Sequence, residues 1–144
     1  MHIRQYTPAD YPRIRHLWEE ARLLLSLSDE PDELHRLLDY HPELFLVGEI
    51  GGEIISSVVG TFDGRRAYVQ HLAVHPDFQG QGYGTQLMEY LENILREMDV
   101  VKYHLLIEQS NSDVESFYNK LGWYRRDDLI LMSKNLRTDD RSSC

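Results

Sequence analysis

Leu72-Ala73-Val74-His75-Pro76-Asp77-Phe78-Gln79-Gly80-Gln81-Gly82-Tyr83-Gly84-Thr85 is the stretch whose residue types and spacing bear most directly on chemistry. It reads as a buried strand, a tight polar loop and the start of a helix, with glycines at 80, 82 and 84. Glycines there remove Cβ atoms and let backbone N–H groups converge at the positive end of a helix, which suits a pyrophosphate. Two nucleotide-binding patterns fail on spacing. A phosphate loop needs Lys and then Ser or Thr after its glycines, and no Lys follows here. A dinucleotide fingerprint needs its third glycine where Thr85 stands, one residue beyond Gly84.

Other reactive side chains carry less. His71 and His75 are four residues apart, but along a strand that separates them by about 13 Å, and no His-Glu-x-x-His occurs. Nothing in the pattern requires a metal. The single cysteine, Cys144, stands at the very end, so no internal disulfide is expected, and a covalent thiol mechanism would lack a positioned nucleophile.

Elements that could hold the glycine loop follow from periodicity. Ile3 to Tyr6 reads as a first strand. Asp10 is placed to cap a helix in which Tyr11, Ile14, Leu17, Trp18 and Ala21 share a face. Leu34, Leu37 and Leu38 mark a second, short helix ending before His41-Pro42. Leu44 to Ile50, Glu53 to Phe62 and Arg66 to Val74 form a meander, turned by Gly51-Gly52 and Asp63-Gly64. After the loop comes a helix burying Leu87, Leu91, Ile94 or Leu95, and Met98, then a strand from Lys102 to Gln109. A helix around Asp113 to Leu121 is stopped by Gly122, and Leu129 to Asn135 reads as a last strand. The order β-α-α-β-β-β-α-β-α-β, a hairpin meander followed by a crossover, predicts an α/β domain with a mixed, mostly antiparallel sheet flanked by helices. One domain is expected over residues 1–136, with a disordered tail over 137–144.

Composition sets outer bounds. The 144 residues, 42% hydrophobic and 27% charged, fit one soluble domain with a real core. No apolar run approaches a membrane span and no leader-like segment opens the chain, so a cytoplasmic protein is expected. The formal charge of −9 argues against nucleic acid as partner and favours cationic ones, although acidity also simply keeps proteins dissolved.

Two stretches together resemble the GNAT superfamily of acetyltransferases. Its acyl-CoA motif, Arg/Gln-x-x-Gly-x-Gly/Ala after a strand ending Leu-Ala-Val and a His-Pro turn, is matched by Gln79-Gly80-Gln81-Gly82-Tyr83-Gly84. Its second signature is matched by Asn111-Ser112-Asp113-Val114-Glu115-Ser116-Phe117-Tyr118-Asn119-Lys120-Leu121-Gly122-Trp123. The order of elements agrees over about residues 1–136. The resemblance implies acetyl-CoA as cosubstrate and direct transfer to a primary amine of a small molecule or peptide. It implies that backbone at Leu72 and Val74 pairs with the pantetheine arm and that N–H groups of Gln79, Gly80, Gln81, Gly82, Tyr83, Gly84 and Thr85 hold the pyrophosphate. Asn111 would touch the CoA arm and Tyr118 would sit near the sulfur. Gln79, where Arg is commoner, removes a positive charge near the phosphates.

Such a reaction needs proton handling. A Lys-like amine is neutral in about one molecule in ~2,500 at pH 7, a handicap of roughly 4.6 kcal/mol. A base eases that cost, and a phenol such as Tyr118 can protonate the departing thiolate. Tyr118 is otherwise an aromatic packed beside Val114 and Leu121, although Phe117 can fill that place. For the base, the fourth strand carries no carboxylate and offers His71 by its ordinary pKa alone, although such a residue is more often a satisfied strand histidine and burial would lower its basicity; Glu49 and Glu108 are the other candidates. A non-catalytic acetyl-CoA-binding regulatory module would keep the glycine loop and need no productive Tyr118. The acceptor and the oligomeric state, a homodimer included, stay open. Ser28-Asp29-Glu30-Pro31-Asp32-Glu33 puts four carboxylates between the first two helices, where they would draw a cationic amine or merely favour a helix start.

Overall fold

The computed structural model describes residues 1–137, apart from the side chain of Ser112. Five strands form one sheet in sequence order: β1 (His2–Gln5), β2 (Phe45–Ile50), β3 (Glu53–Phe62), β4 (Ala67–Val74) and β5 (Tyr103–Leu105). The first three pairings are antiparallel and the last, β4 with β5, is parallel, so the sheet is mixed as the hairpin-then-crossover order implies. The β2–β3 hairpin turns on Gly51 and Gly52, whose φ of 59° and 81° suit a two-residue turn matching the strand twist. Among the described residues four α-helices flank the sheet: α1 (Tyr11–Glu20), α2 (Pro31–Leu34), α3 (Tyr83–Glu97) and α4 (Glu115–Lys120).

Strand alternation sorts the core into two faces. On one, Phe45, Val47, Val59 and Ala73 pack with Ile14, Leu17 and Trp18 of α1 and Leu34 of α2. On the other, Leu46, Val58, Ala67 and Val69 pack with Leu87, Met88, Leu91 and Leu95 of α3. A Cβ on Gly60 of β3 would stand 2.9 Å from Leu91, so a glycine there lets α3 lie close on the sheet. The only tryptophan on the first face, Trp18, is fully buried and donates its indole N–H to Ser57 Oγ at 2.9 Å.

Several elements differ from their sequence patterns. Asp10 precedes α1 but makes no side-chain cap to it. Its carboxylate instead accepts from Thr7 N–H and from the Arg4 guanidinium, which also holds Glu49. The second helix is a single α-turn that tightens into a 3-10 segment, His35–Asp39, ahead of Pro42. The strand expected over Lys102 to Gln109 pairs only at Tyr103–Leu105, because β4 and β5 part beyond that point. The expected last strand, Leu129 to Asn135, does not form: the sheet's strands end with β5, and Ile130 and Met132 are 89% and 88% exposed. Strand-forming residue types make a strand only when paired in a sheet, and this run joins no sheet among the described residues. Residues 138–144, most of the expected disordered tail, lie outside the described residues, whereas Arg137 is placed and bonds Glu33 at 2.7 Å.

Candidate active site

The centre of the site is a break in the sheet. β4 and β5 pair at Ala67–Tyr103, Tyr68–His104 and Val69–Leu105, and β4 then continues through Val74 without β5 beside it. His75 N–H donates to Ile55 O on β3, so by strand alternation the backbone groups of Val74 and Leu72 face the side that β5 has left. The two residues expected to line a pantetheine arm therefore present main-chain groups into a gap between diverging strands. Val74 carbonyl is already engaged there, accepting from Gln79 Nε2 at 2.9 Å. Gln79 thus tethers the loop to the end of β4 through its side chain.

The glycine loop follows directly. A 3-10 turn, Pro76–Phe78, starts it and α3 begins at Tyr83, with Gly82 before the first helical residue at φ 87°. That left-handed conformation is open to glycine at no steric cost and points the chain into the helix. A Cβ at Gly80 or Gly82 would meet nothing within 4 Å, so this backbone is approachable from solvent. Gln79, Gly80, Gln81 and Gly82 are exposed, Tyr83 and Thr85 half-buried, and Gly84 buried. The free N–H groups of the first turn of a 15-residue helix thus lie beside an accessible loop, which is the geometry that suits phosphate oxygens.

Gly84 links the loop to the second signature, because its Cβ position lies 3.4 Å from Phe117 of α4. Phe117 leans on α3, while its neighbour Tyr118 packs against the sheet core with Leu121 and Trp123. This reverses the expected division of labour, in which Phe117 was the packing residue; α4 approaches the sheet through the Tyr118 face. Burial pushes the Tyr118 phenol up to about 12, so it stays protonated, and its hydroxyl makes no side-chain hydrogen bond among the described residues. Asn111 is exposed at a kink in the 3-10 segment before α4, with φ −117° and ψ 33°.

The remaining chemistry lies on the α1 side of β4. Two β4 residues, His71 and Leu72, oppose the single residue Val58 between the pairs Ser57–Ala73 and Val59–Gln70, which is a β-bulge. His71 takes the bulge conformation with φ 51°, uncommon for a residue with a side chain. Its Nε2 meets Asp29 Oδ1 at 2.7 Å, and its ring packs on Trp18 at 4.7 Å. Asp29 is 5% exposed and also accepts from Ser26 N–H at 2.9 Å. Burial alone would raise the Asp29 carboxyl, but the bond and charge of His71 outweigh it and hold the carboxyl below the ordinary value. A turn further on, His75 Nε2 meets Glu20 of α1 at 2.6 Å. Neither carboxylate partner is visible in the sequence, because each pair joins elements far apart in the chain. Glu49 of β2, another candidate for the base, pairs with Arg4. Among the described residues no group of three or more His, Cys, Asp or Glu is arranged to hold a metal ion, and no helix is long and apolar enough to cross a membrane.

A mixed sheet that splays beside an open glycine loop at a helix start defines an acyl-CoA-binding α/β fold. The acetyltransferase (GNAT) family model matches residues 11–123. An acetyltransferase of Pectobacterium atrosepticum is 38% identical over 139 residues, covering 96% of this chain and 98% of that protein. One from Yersinia enterocolitica is 37% identical with the same coverage. In three dimensions, the PaiA N-acetyltransferase of Thermoplasma acidophilum, solved with coenzyme A, superposes with a TM-score of 0.78 at 18% identity, over 88% of this chain and 91% of that one. The chain belongs to the GNAT family of acetyltransferases. It is an acetyl-CoA-dependent N-acetyltransferase by class, with acetyl-CoA as cosubstrate.

Proposed function

We propose that residues 1–136 form one catalytic domain, working in the cytoplasm, that transfers acetyl from acetyl-CoA directly to a primary amine of a small molecule or peptide. The observation that carries this reading is the parting of β4 from β5 after Val69–Leu105, next to the open loop at Gly80 and Gly82. The main-chain groups of Leu72 and Val74 would take the pantetheine arm, and the N–H groups from Gln79 to Thr85 the pyrophosphate. Asn111 would rest against the arm.

Acetyl-CoA supplies an activated thioester carbonyl. The amine attacks that carbon, the C–S bond breaks, and the thiolate needs a proton. Tyr118 can give it, because a phenol kept protonated by burial remains a donor. Its packing on Trp123 fixes the ring and leaves the hydroxyl for this task.

A cationic acceptor is the finer part of the proposal, and the structure narrows what could steer it. Asp29 is buried and bound to His71, so it leaves the acidic cluster. Glu30 lies 3.7 Å from Arg15, and Glu33 pairs with Arg36 and Arg137. Asp32 is exposed.

The test is release of CoA thiol from acetyl-CoA across a panel of amines and peptides, from polyamines to neutral and acidic acceptors. Release with at least one primary amine is the expected result. Acetyl-CoA binding without release for any amine would favour the non-catalytic binding module, which Tyr118's packing contacts also suit.

A further inference from the structure

Two histidines, His71 on β4 and His75 just past its end, each face a carboxylate from the α1 side, and their hydrogen bonding separates their roles. His75 has both ring nitrogens occupied: Nε2 meets Glu20 at 2.6 Å, and Nδ1 accepts from Asp77 N–H at 3.1 Å. It is a pin that ties the start of the glycine loop to the end of α1. His71 has only Nε2 occupied, by Asp29 at 2.7 Å, and Nδ1 has no hydrogen-bond partner among the described residues. A carboxylate on one nitrogen fixes the tautomer with the proton on Nε2 and leaves the Nδ1 lone pair as an acceptor.

We infer that His71 is the general base of the transfer and that buried Asp29 orients it; the inference rests on the amine acetyltransfer proposed above. Four observations converge. The pair sits at the β4 bulge, beside Leu72 and opposite Val58, next to the stretch of β4 that β5 has left. His71 holds a positive φ of 51° that a glycine would take more easily, and strain of this kind concentrates at functional sites. The ring is 4.7 Å from Trp18, and Trp18 donates to Ser57, whose hydroxyl in turn donates to His71 O at 3.4 Å, so ring and backbone are both held from α1 and β3. Asp29 comes from the segment joining α1 to α2, where Tyr11 hydroxyl grips its carbonyl at 2.8 Å. The charged groups facing the pair are Asp29 itself and Arg15 of α1, with Glu30 on Arg15 and the Glu20–His75 pair beyond the end of β4.

The step balances without any further reactant. The amine lone pair forms the N–C bond to the acetyl carbonyl carbon, and the C–S bond breaks with its electrons on sulfur. The surplus N–H proton passes to His71 Nδ1 and then to solvent, while the thiolate takes a proton from Tyr118, which recovers one from water. Asp29 is a positioning residue: it touches neither substrate and stabilises the imidazolium for the moment it exists.

Two measurements test this. The first needs no known acceptor. Diethyl pyrocarbonate modification, mapped by peptide mass spectrometry, should mark His71 at least tenfold faster than His75, and saturating acetyl-CoA should slow the marking of His71. Equal rates at the two histidines, or no protection, would overturn the assignment. The second uses acetyl-CoA with spermidine and with the peptide Ala-Lys-Gly, scored by thiol release. His71→Gln, which keeps an amide within reach of Asp29, should lower kcat by about 10²- to 10⁴-fold with the acetyl-CoA thermal shift intact. The wild-type rate should fall on the acid side, and this variant should lose that fall. His71→Asn accepts the positive φ and guards against a folding defect in the first variant. His75→Gln should lower Tm yet keep the acid-side dependence. Wild-type activity that survives in both His71 variants, or an acid limb that persists in them, would refute the base. Wild-type protein inactive toward these amines would count against the transfer reading, and the modification pattern alone would then decide on His71.

Discussion

Residues 1–100 and residues 101–137 are built differently. The first region holds every buried residue among those described: α1, α3 and β2 to β4 enclose two continuous apolar faces. The second holds none, and Tyr103, Tyr118, Leu121 and Trp123 only lean on the edge of the α3 face. The proposed cosubstrate loop is anchored in the dense region, through Gly84 and the Gln79–Val74 tether. The proposed thiolate acid, Tyr118, belongs to the thin one. The proposed binding of acetyl-CoA and protonation of its thiolate would therefore rest on parts of unequal burial, and substitutions should separate them.

The two tryptophans, one in each region, give the largest contrast. Trp18→Ala empties a fully buried site and strips Ser57 of its donor, and it should cost about 3–5 kcal/mol in urea unfolding. Trp123→Ala, at a half-buried site 5.8 Å from the Tyr118 ring, should cost clearly less and yet lower kcat by loosening that ring. Equal losses of stability would erase the distinction between the regions.

Within the thin region, Tyr118→Phe keeps the ring packing and removes only the hydroxyl. It should lower kcat ten- to a thousand-fold, about 1.4–4 kcal/mol, with Tm and acetyl-CoA affinity nearly unchanged. An unaltered kcat would leave Tyr118 as a packing residue.

A pH effect should appear in the dense region. Asp29 has its carboxyl held below the ordinary 3.8 by His71, against the pull of burial. A group depressed in the folded state contributes stability above its unfolded value and loses it as pH falls through the folded value. Wild type should therefore lose stability on acidification below about pH 4, and Asp29→Asn should flatten that part of the profile. An identical acid profile in the variant would mean the pair contributes nothing to folding.

The smallest effect belongs to the surface carboxylates. Neutralising Glu30, Asp32 and Glu33 while leaving Asp29 should raise KM modestly for cationic amines, spare neutral ones, and weaken the salt dependence, since exposed charges are screened beyond about 8 Å. Unchanged amine preference would end the cationic-acceptor proposal.

What the sequence made legible follows from what is local. β3 runs over Glu53–Phe62 as its β-branched residues and bounding turns imply, and the Gly51-Gly52 turn adopts the positive φ its residues allow. The glycine loop is readable for the same reason: its backbone demands are written in its own residues. The Asp29–His71 pair spans 42 positions and exists only because a bulge turns His71 toward the segment after α1, so no periodicity could announce it. Asp29 was thus legible as one of four surface acids and not as a buried partner. The Leu129–Asn135 run failed for a related reason, since its residue types favour a strand but pairing is decided by the far edge of β5.

The central claim is that the backbone from Gln79 to Thr85 holds acetyl-CoA, and thermal unfolding with the cosubstrate tests it most directly. Ligand at ~100 times its Kd should stabilise wild type by about 2.7 kcal/mol, read as a rise in Tm. Gly82→Asp sets a carboxylate where phosphates would lie; the space is empty to 4 Å but φ 87° strains any side chain, so the variant should lose some Tm, stay folded and show no such rise. A wild type whose Tm does not move at millimolar acetyl-CoA, or a Gly82→Asp variant that shifts as wild type does, would contradict the account.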